Sequence, residues 1–449
     1  MAVHSPFLTR RRLLLGAAAG PLLAACGGGH GPYRMPAETA RQAAVMLASP
    51  TIDYKHDWSM MAVQADMVRE LVAGQRVLYL VNGDADRQAF TAALQARGMP
   101  LSVIDRQVLF RTVDHADVWV RDIGGLYLSD GSERPQVVDF AFDGYGYNAF
   151  AGPATVAAYD LDGELAVRVA QSFGWELVRS PLIAEGGNLH VNGRGTVIAT
   201  ELGLLGRNPG WTRAQAEAEL MRVLGVRHVI WVPRSLASDA HTVLQTPYQF
   251  GEGWVYNIGV NHIDELVAWV DARTLLLPQV SAQDLAHAQA VGDPTAQINH
   301  AVLEDMAGIL AASTDQDGRP LQVLRVPEPG PLLVDLTPAD PVWHYLADLD
   351  HHPTVRLQGA GRFAAGEPVR LMLAASYMNY VVANGCVLVP RYHKPGRDPA
   401  LAVKDEVFRA TIAQCYPGRR VVQIDADALN VAGGGMHCIT QQIPQGVQL

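Results

Sequence analysis

A cysteine near the C-terminus follows a run of glycines. Cys438 comes after the glycines at 433–435, a methionine and His437. Glycine lets the backbone adopt conformations that other residues avoid, and it lets a ligand approach the main chain closely. A thiol placed there can be exposed and activated as a nucleophile, with Gly435 beside the ligand. The alternative is a buried, inert cysteine after a flexible turn, which is common for a free thiol.

A histidine and an aspartate two positions apart form a second candidate. On a strand, His262 and Asp264 would point to the same face. An imidazole beside a carboxylate is a proton-transfer pair, and the carboxylate raises the pKa of the imidazole. The alternative is a polar strand edge that is exposed to solvent.

A third stretch combines acidic, aromatic and basic residues before a glycine pair. Asp117, Trp119 and Arg121 alternate, so a strand would place them on one face. Asp122 follows at the turn made by residues 124–125, where a carboxylate can bind a guanidinium through paired hydrogen bonds. Trp119 and Arg121 are therefore candidate substrate-binding residues. The alternative is a surface ion pair between Arg121 and a neighbouring acid.

A fourth stretch places Glu185 before two glycines and Asn188, in a turn that brings the backbone to a site or in an ordinary hairpin. Each signal is ambiguous alone, but their order along the chain is specific. Arg-Asp, Glu-Gly-Gly-Asn, His-x-Asp and His-Cys, in this order, resemble the signature of the guanidino-group-modifying (pentein) superfamily. Within it, the chain is similar to the agmatine deiminase and bacterial-type peptidyl-arginine deiminase family from Arg34 to Pro444.

The resemblance implies roles for five side chains. Cys438 would attack the guanidinium carbon, and His262 would protonate the leaving amine and then activate water. Asp122 and Asp264 would hold the guanidinium nitrogens. Glu185 would support His262 or the substrate.

The resemblance also places Asn379 near the site and implies neither a metal nor an organic cofactor. The sequence departs from the family at Asn261, where glycine is usual, and at residues 124–125, where Gly-Pro is usual. Residues 245–259 and 327–367 look inserted and are predicted to be loops over the site or surface excursions. These departures bear on the substrate more than on the reaction.

The implied chemistry is coherent with the residue types. A guanidinium is resonance-stabilised, so it requires a strong nucleophile such as a thiolate. Flanking carboxylates would orient the cation and raise the pKa of the thiol in the empty site. We therefore expect reactive thiolate mainly when the substrate is bound.

Three functions remain open for this chain. The first is hydrolysis of a small cationic guanidine, agmatine, to N-carbamoylputrescine and ammonia, a reaction of putrescine biosynthesis. The second is conversion of the arginine side chain of a peptide to citrulline, which an exported location would favour. A third, of another class, is an inactive lipoprotein that binds guanidino compounds or polyamines. A cysteine peptidase fits less well, because paired carboxylates suit a cation rather than a neutral amide.

Short apolar runs that alternate with helical stretches predict an α/β fold. The predicted helices cover residues 60–74, 84–97, 405–415 and the stretch from the N-cap Thr212 to Leu224, and the predicted strands cover residues 76–81, 136–140, 196–200, 274–277 and 386–390. No clear sequence repeat is visible. The resemblance implies a five-bladed α/β propeller of ββαβ modules around a central active-site channel, formed by residues 33–449.

The charge pattern argues against nucleic acid as a partner. The chain has 449 residues and a formal net charge of −10, and no long basic run follows the N-terminus. An acidic surface suits a cationic substrate. The oligomeric state is left open.

The N-terminus is typical of an exported lipoprotein. Arginines at 10–12 precede an apolar run at 13–23 that is too short to span a bilayer. Leu-Ala-Ala before Cys26 resembles a lipoprotein cleavage site, and the arginines resemble a twin-arginine signal. This predicts a leader at 1–25, a flexible tether at 26–32 and a periplasmic or cell-surface location, with membrane contact only through the lipid.

Two cysteines remain unassigned. Cys386 and Cys415 could form a disulfide in an oxidising compartment or stay as two inert buried thiols.

Overall fold

The computed structural model describes residues 32–244, 247–250, 253–352 and 366–449. The predicted leader at 1–25, the predicted lipidation site Cys26 and nearly all of the tether lie outside the described residues. No helix in the described ranges has the length and hydropathy needed to cross a membrane.

The described part of the chain is a mixed α/β protein, which confirms the predicted fold class. Its strands are β1 Gln42–Ala48, β2 Arg76–Val81, β3 Val108–Thr112, β4 Leu126–Leu128, β5 Gln136–Ala141, β6 Glu176–Ile183, β7 His190–Val191, β8 Thr196–Thr200, β9 His228–Val232, β10 Tyr248–Phe250, β11 Gly253–Tyr256, β12 Ala268–Trp269, β13 Thr274–Gln279, β14 Gln322–Pro327, β15 Leu333–Leu336, β16 Val369–Met372, β17 Val381–Val382, β18 Cys386–Pro390, β19 Arg420–Ile424 and β20 Gln441–Pro444.

Its α-helices are α1 Met60–Leu71, α2 Asp84–Ala96, α3 Leu101–Gln107, α4 Val120–Ile123, α5 Pro153–Gly163, α6 Leu165–Phe173, α7 Glu201–Leu204, α8 Arg213–Leu224, α9 Ala282–Val291, α10 Thr295–Ala312, α11 Pro341–His351, α12 Ala400–Cys415 and α13 Asp427–Asn430. Short 3-10 helices cover Gly144–Ala149, Gly186–Asn188, Leu205–Arg207, Ala237–Asp239, Thr242–Leu244 and Ile263–Glu265.

Local sequence explains where the predicted elements begin and end. Thr212 caps α8 as predicted, and its capping box with Gln215 satisfies backbone groups at the first turn. Gly225 ends the helix at a φ of 66°, in the left-handed region that favours glycine. The predicted strands match β2, β5, β8, β13 and β18.

One strand pattern recurs in five sheets. The orders β4-β5-β6, β7-β8-β9, β12-β13-β14 and β17-β18-β19 each pair the middle strand antiparallel with the first strand and parallel with the third. The fifth sheet, β20-β1-β2-β3, has the same pattern and one further parallel strand. It pairs the C-terminal strand with the N-terminal strand, so both ends of the described chain lie in one sheet.

The two stretches predicted to be loops contain regular structure. Strands β10 and β11 lie in the first stretch, and β15 and α11 lie in the second. Strands β10, β11 and β15 form a sixth sheet together with β16, in the order β10-β11-β16-β15. The prediction of loops was therefore wrong for the described parts of both stretches. Strand β10 pairs with β11, and β11 and β15 both pair with β16, so the two stretches share one sheet.

The hydrophobic core lies between sheets and helices. Buried side chains of α1, such as Met67, pack in one cluster with Val77 and Tyr79 of β2. Cys386 and Cys415 are free thiols, so the alternative of a disulfide is not formed. Burial raises the pKa of Cys386 to about 11, which makes this thiol a poor nucleophile at neutral pH.

Candidate active site

A cavity of about 850 Å³ brings several of the predicted residues together. Cys438, His262, Asp122 and Trp119 all line it. Helices α5 and α11 also contribute to its lining, and Tyr345 places the second predicted insertion there. Three of the four segments found in the sequence therefore line one cavity, and the fourth reaches it through the contact of Glu185 with His262.

The functional residues occupy matching positions in the five repeated sheets. Asp122, Glu185, Asp264, Asn379 and Cys438 each stand a few residues before the first strand of one sheet. These strands are β4, β7, β12, β17 and β20. Each sheet thus begins directly after a segment that contributes to the site.

Cys438 lies at the centre of the hydrogen-bond pattern and is 5% exposed. Its Sγ atom is 3.0 Å from Nδ2 of Asn379 and 3.4 Å from Oδ2 of Asp264. Burial and the nearby carboxylates of Asp264, Glu265 and Asp122 raise the pKa of the thiol well above its usual range. The thiol is therefore protonated at neutral pH, in agreement with the prediction from the sequence.

The glycines before the nucleophile are required by close packing. A Cβ atom on Gly434 would lie 2.6 Å from the Trp119 ring and 3.2 Å from the Cys438 sulfur. A Cβ atom on Gly435 would lie 2.6 Å from Oδ1 of Asn379. Gly435 does not line the cavity, whereas Gly434 does. Gly435 thus packs against Asn379 and its backbone bonds to the Cys438 sulfur, and its place beside the ligand stays a prediction.

His262 is buried among carboxylates. Its Nδ1 atom is 3.8 Å from Oδ1 of Asp122, and its Nε2 atom is 3.5 Å from Oε2 of Glu185. Burial opposes the charged imidazole, but Asp122 and Glu185 outweigh it and raise the pKa of His262 to about 9. The backbone N–H of His262 donates to Oδ2 of Asp239 at 2.7 Å. At neutral pH, His262 is therefore an acid that can give up a proton.

Asp122 is positioned by the glycine turn after Glu185. Its Oδ1 atom accepts a hydrogen bond from the backbone N–H of Gly187 at 2.8 Å, and its Oδ2 atom accepts one from Tyr145 at 3.2 Å. A Cβ atom on Gly187 would lie 2.4 Å from Nδ1 of His262, so a side chain at 187 would displace the imidazole. Burial raises the pKa of Asp122 to about 6, although His262 opposes the shift.

Glu185 is held ionised by a cation that the sequence analysis missed. Arg207 donates from Nη1 to Oε2 of Glu185 at 2.7 Å and also pairs with Asp143. Burial alone would raise the pKa of Glu185, but Arg207 and His262 outweigh it and lower it to about 2. Arg207 lies in the run Gly-Arg-Asn-Pro-Gly at residues 206–210, which also resembles the family, and this resemblance is the signal that could have identified it.

Arg121 does not line the cavity, and its role in substrate binding stays a prediction. Its side chain is 1% exposed, lies 3.2 Å from Oε1 of Glu38 and donates to Oε1 of Gln442 at 2.6 Å. Trp119 does line the cavity. Arg121 is thus a buried structural cation and not a free surface ion pair.

The strand argument was wrong for two of the four segments. Val120–Ile123 is a helical turn with Trp119 at its N-cap position, and Ile263–Glu265 is a 3-10 helix with His262 at its N-cap position. Asn261 has a φ of 61°, which interrupts any extended run before the histidine. The side chains still converge, because the two turns direct them towards the cavity. They do not lie on one face of a shared strand.

Three negative or ionisable groups lie close enough to hold a cation. Ligand atoms of Asp264, Glu265 and Cys438 all lie within 4.8 Å of one another. Among these, Oδ1 of Asp264 and Oε2 of Glu265 are buried without a hydrogen-bond partner in the described ranges. A guanidinium supplies the N–H donors that such oxygens lack.

Comparison with known proteins agrees with this geometry. A profile of the Porphyromonas-type peptidyl-arginine deiminase family matches residues 34–444. A Streptomyces avermitilis protein assigned as an agmatine deiminase is 30% identical over 420 residues, which cover 92% of this chain and 97% of that protein. A Selenomonas ruminantium protein with the same assignment is 29% identical over 420 residues, which cover 92% of this chain and 96% of that protein.

Solved structures share the fold. The agmatine deiminase of Enterococcus faecalis aligns with a TM-score of 0.67 at 21% identity and covers 92% of this chain and 96% of its own. A Porphyromonas gingivalis protein assigned as an arginine deiminase aligns with a TM-score of 0.64 at 23% identity and covers 92% of this chain and 99% of its own. The family profile matches nearly the whole described chain, and this protein belongs to the Porphyromonas-type peptidyl-arginine deiminase family.

Proposed function

We propose that this protein is a hydrolase that converts a guanidino group to a ureido group and ammonia through a covalent intermediate on Cys438. The observation that carries the proposal is the shared cavity of Cys438, His262 and Asp122, with Asp264 in contact with the thiol. A nucleophile, an acid and carboxylates for a cation are therefore present together.

The reaction begins when the substrate cation enters. Its positive charge offsets the carboxylates that raise the pKa of the Cys438 thiol, so the thiol loses its proton on binding. The sulfur then forms a bond to the guanidinium carbon. His262 gives a proton to one amino group, the C–N bond breaks, and ammonia leaves.

The second half of the reaction returns the enzyme to its starting state. Neutral His262 takes a proton from water, and the oxygen bonds to the same carbon. The C–S bond then breaks, and the proton on the new oxygen passes to the Cys438 sulfur, where it replaces the proton that was lost to solvent on substrate binding. This restores the thiol and releases the neutral ureido product. One water is consumed and one ammonia is formed for each guanidino group.

Asp122 and Asp264 hold the planar cation during both steps. Carboxylates that accept paired hydrogen bonds from a guanidinium fix its orientation as well as its position. Both carboxylates are buried, so little water competes for these bonds. Orientation of this kind lowers a barrier by several kcal/mol.

We propose agmatine as the substrate, with N-carbamoylputrescine as the product, because the relatives named above are assigned as agmatine deiminases. A second candidate is an arginine side chain in a peptide. The cavity of about 850 Å³ and its lining by α11 favour that candidate, since there is room beyond a guanidinobutyl group.

Ammonia release tests this function. The purified protein is incubated with agmatine, free arginine and an arginine peptide. We expect ammonia from agmatine, none from Cys438→Ala, and unchanged release from Cys415→Ala, a free cysteine outside the cavity. Release from the peptide alone would favour the citrulline-forming reaction. Tight agmatine binding without ammonia would instead support the binding lipoprotein.

We also propose that residues 33–449 form one catalytic domain, a five-bladed propeller around the site. The support is the strand pattern repeated in five sheets, each preceded by a segment that contributes to the site. An experimental structure tests it directly. Five sheets arranged in a ring would agree with the proposal, and an open arrangement would contradict it.

The protein is further proposed to be exported and anchored through lipid on Cys26. The support is the sequence of residues 10–26, with three arginines, an apolar run and Leu-Ala-Ala-Cys. Labelled fatty acid should appear in the full-length protein expressed in a bacterium and be absent from Cys26→Ser. Equal labelling of both proteins would contradict the anchor.

A further inference from the structure

We propose that His437, the residue before the nucleophile, is a positioning residue that holds the Asp264 carboxylate ionised and oriented for the guanidinium. The inference rests on the proposed function. His437 bonds to Asp264, and Asp264 in turn contacts the Cys438 sulfur, so His437 acts through Asp264 and not on the substrate itself.

The geometry of the imidazole carries the proposal. His437 is 3% exposed, its Nδ1 atom lies 2.8 Å from Oδ2 of Asp264, and its Nε2 atom lies 2.7 Å from Oε1 of Glu38. An ionised carboxylate only accepts hydrogen bonds, so both ring nitrogens must donate. The arrangement therefore contains an imidazolium between two carboxylates.

The Asp264 oxygen that bonds to His437 is also the oxygen that faces the Cys438 sulfur. Oδ2 of Asp264 lies 3.4 Å from Sγ of Cys438. The other oxygen, Oδ1, is buried and has no hydrogen-bond partner among the described residues. The bond to His437 fixes the carboxylate so that Oδ1 is left to accept an N–H of the substrate.

Glu38, which belongs to the N-terminal segment, contacts other charged or titratable groups besides His437. Arg121 lies 3.2 Å from Oε1 of Glu38, and Nε2 of His190 lies 3.9 Å from Oε2. The side chains of Glu38, Arg121, His190 and Asp264 are therefore the charged or titratable groups that face His437. Burial would raise the pKa of Glu38, but His437 and Arg121 outweigh it and keep this carboxyl ionised.

Backbone contacts hold the imidazole in place. The N–H of His437 donates to Oδ1 of Asn379 at 2.8 Å, and Nδ2 of Asn379 lies 3.0 Å from the Cys438 sulfur. Asn379 thus orients His437 and Cys438 together. A change of the His437 side chain leaves this backbone bond possible, so the effect of the imidazole can be separated from the loop.

The consequence concerns the charge of Asp264. Burial raises the pKa of this carboxyl, and His437 is the main group that outweighs burial and lowers it. In His437→Gln, burial would dominate and the pKa of Asp264 would rise. The acid limb of the kcat/KM profile for agmatine should then move to higher pH. Near neutral pH, kcat/KM should fall by about 10- to 100-fold, the effect typical of removing a partner that orients a functional side chain.

Alkylation of Cys438 gives a readout that does not depend on turnover. The rate with a cationic haloacetamidine is divided by the rate with neutral iodoacetamide, for the full-length protein. An ionised Asp264 attracts the cationic reagent, so His437→Gln should lower this ratio severalfold. His115→Gln is the matched control, because His115 is also buried but bonds to backbone carbonyls.

Glu38→Gln is the second variant, because it removes one charge and keeps the shape of the side chain. We expect a smaller change in the same direction for both the ratio and the acid limb. Variants that fold and retain the wild-type ratio and the wild-type pH profile, with only a lower melting temperature, would overturn the proposal. Wild-type protein that releases no ammonia would refute the proposed function, while the alkylation ratio would still test the role of His437.

Discussion

Oδ2 of Asp264 lies 3.4 Å from Sγ of Cys438, so the nucleophile rests directly against a carboxylate. Burial and this carboxylate raise the pKa of the thiol, which suppresses its reactivity until a cation arrives. In the proposed reaction, the same carboxylate then serves as a ligand for that cation. Suppression of the thiol and recognition of the substrate are therefore two effects of one contact.

Asp264→Asn should separate these two effects. Removing the charge lowers the pKa of the Cys438 thiol, so alkylation by iodoacetamide at neutral pH should become severalfold faster. Turnover of agmatine should fall by about a hundredfold or more, because a group that stabilises charge in the transition state is lost. Slower alkylation together with lost turnover would show that Asp264 activates the thiol instead of suppressing it.

The kcat/KM profile should fall on its alkaline side as His262 loses its proton. Burial lowers the pKa of His262, but Asp122 and Glu185 raise it to about 9, so the acid form persists below that pH and is lost above it. Glu185→Gln removes one of these charges and should move the alkaline limb to lower pH. An alkaline limb that stays in place in this variant would contradict the assignment.

Arg207→Leu should destabilise the folded protein by about 3–5 kcal/mol, because it leaves the buried carboxylate of Glu185 without its cation. The pKa of Glu185 is lowered to about 2, so its stabilisation is complete above the pKa of an unfolded glutamate and is lost as pH falls towards 2. Denaturant unfolding at several pH values measures this effect. The control is Arg222→Leu, whose exposed pair with Glu219 should contribute less than about 1 kcal/mol.

If the two arginine variants lose equal free energy of unfolding, burial of the Arg207–Glu185 pair does not add to its contribution to stability. If the stability that Arg207→Leu loses is the same from neutral to acidic pH, ionised Glu185 is not the partner that Arg207 stabilises.

Gly434→Ala should abolish turnover while the protein still folds. The added Cβ would meet the Trp119 ring at 2.6 Å and the Cys438 sulfur at 3.2 Å, so the indole or the nucleophile must move. Gly308→Ala in α10 is the control, because no atom lies within 4 Å of its Cβ position. It should keep full activity and gain about 0.5–1 kcal/mol in stability. Wild-type turnover in Gly434→Ala would show that this spacing is not needed.

The sequence predicted the family better than it predicted local structure. The order of the four segments identified Cys438, His262, Asp122 and Asp264, and the family prediction is confirmed by the profile match. Their convergence was not derivable from strand periodicity, because turns such as Ile263–Glu265 carry them. What is recognisable in the sequence is the chemistry of each turn, not its conformation.

Two kinds of feature were missed for physical reasons. The charged residues Glu38 and Arg207 bond to site residues over long sequence separations, which a local pattern does not show. The strand repeat was also invisible, because its equivalent positions hold chemically different residues, such as Asn379 and Cys438. The repeat is one of backbone pairing, and pairing tolerates almost any side chain.

Mass spectrometry of quenched reactions detects the proposed bond between the Cys438 sulfur and the guanidino carbon. Agmatine with an isotope-labelled guanidino carbon is mixed with excess enzyme, stopped by acid and digested. The labelled carbon should appear on the peptide that contains Cys438 and disappear as N-carbamoylputrescine accumulates. Product formed at the same rate by Cys438→Ala, with no labelled peptide in the wild-type protein, would contradict the account.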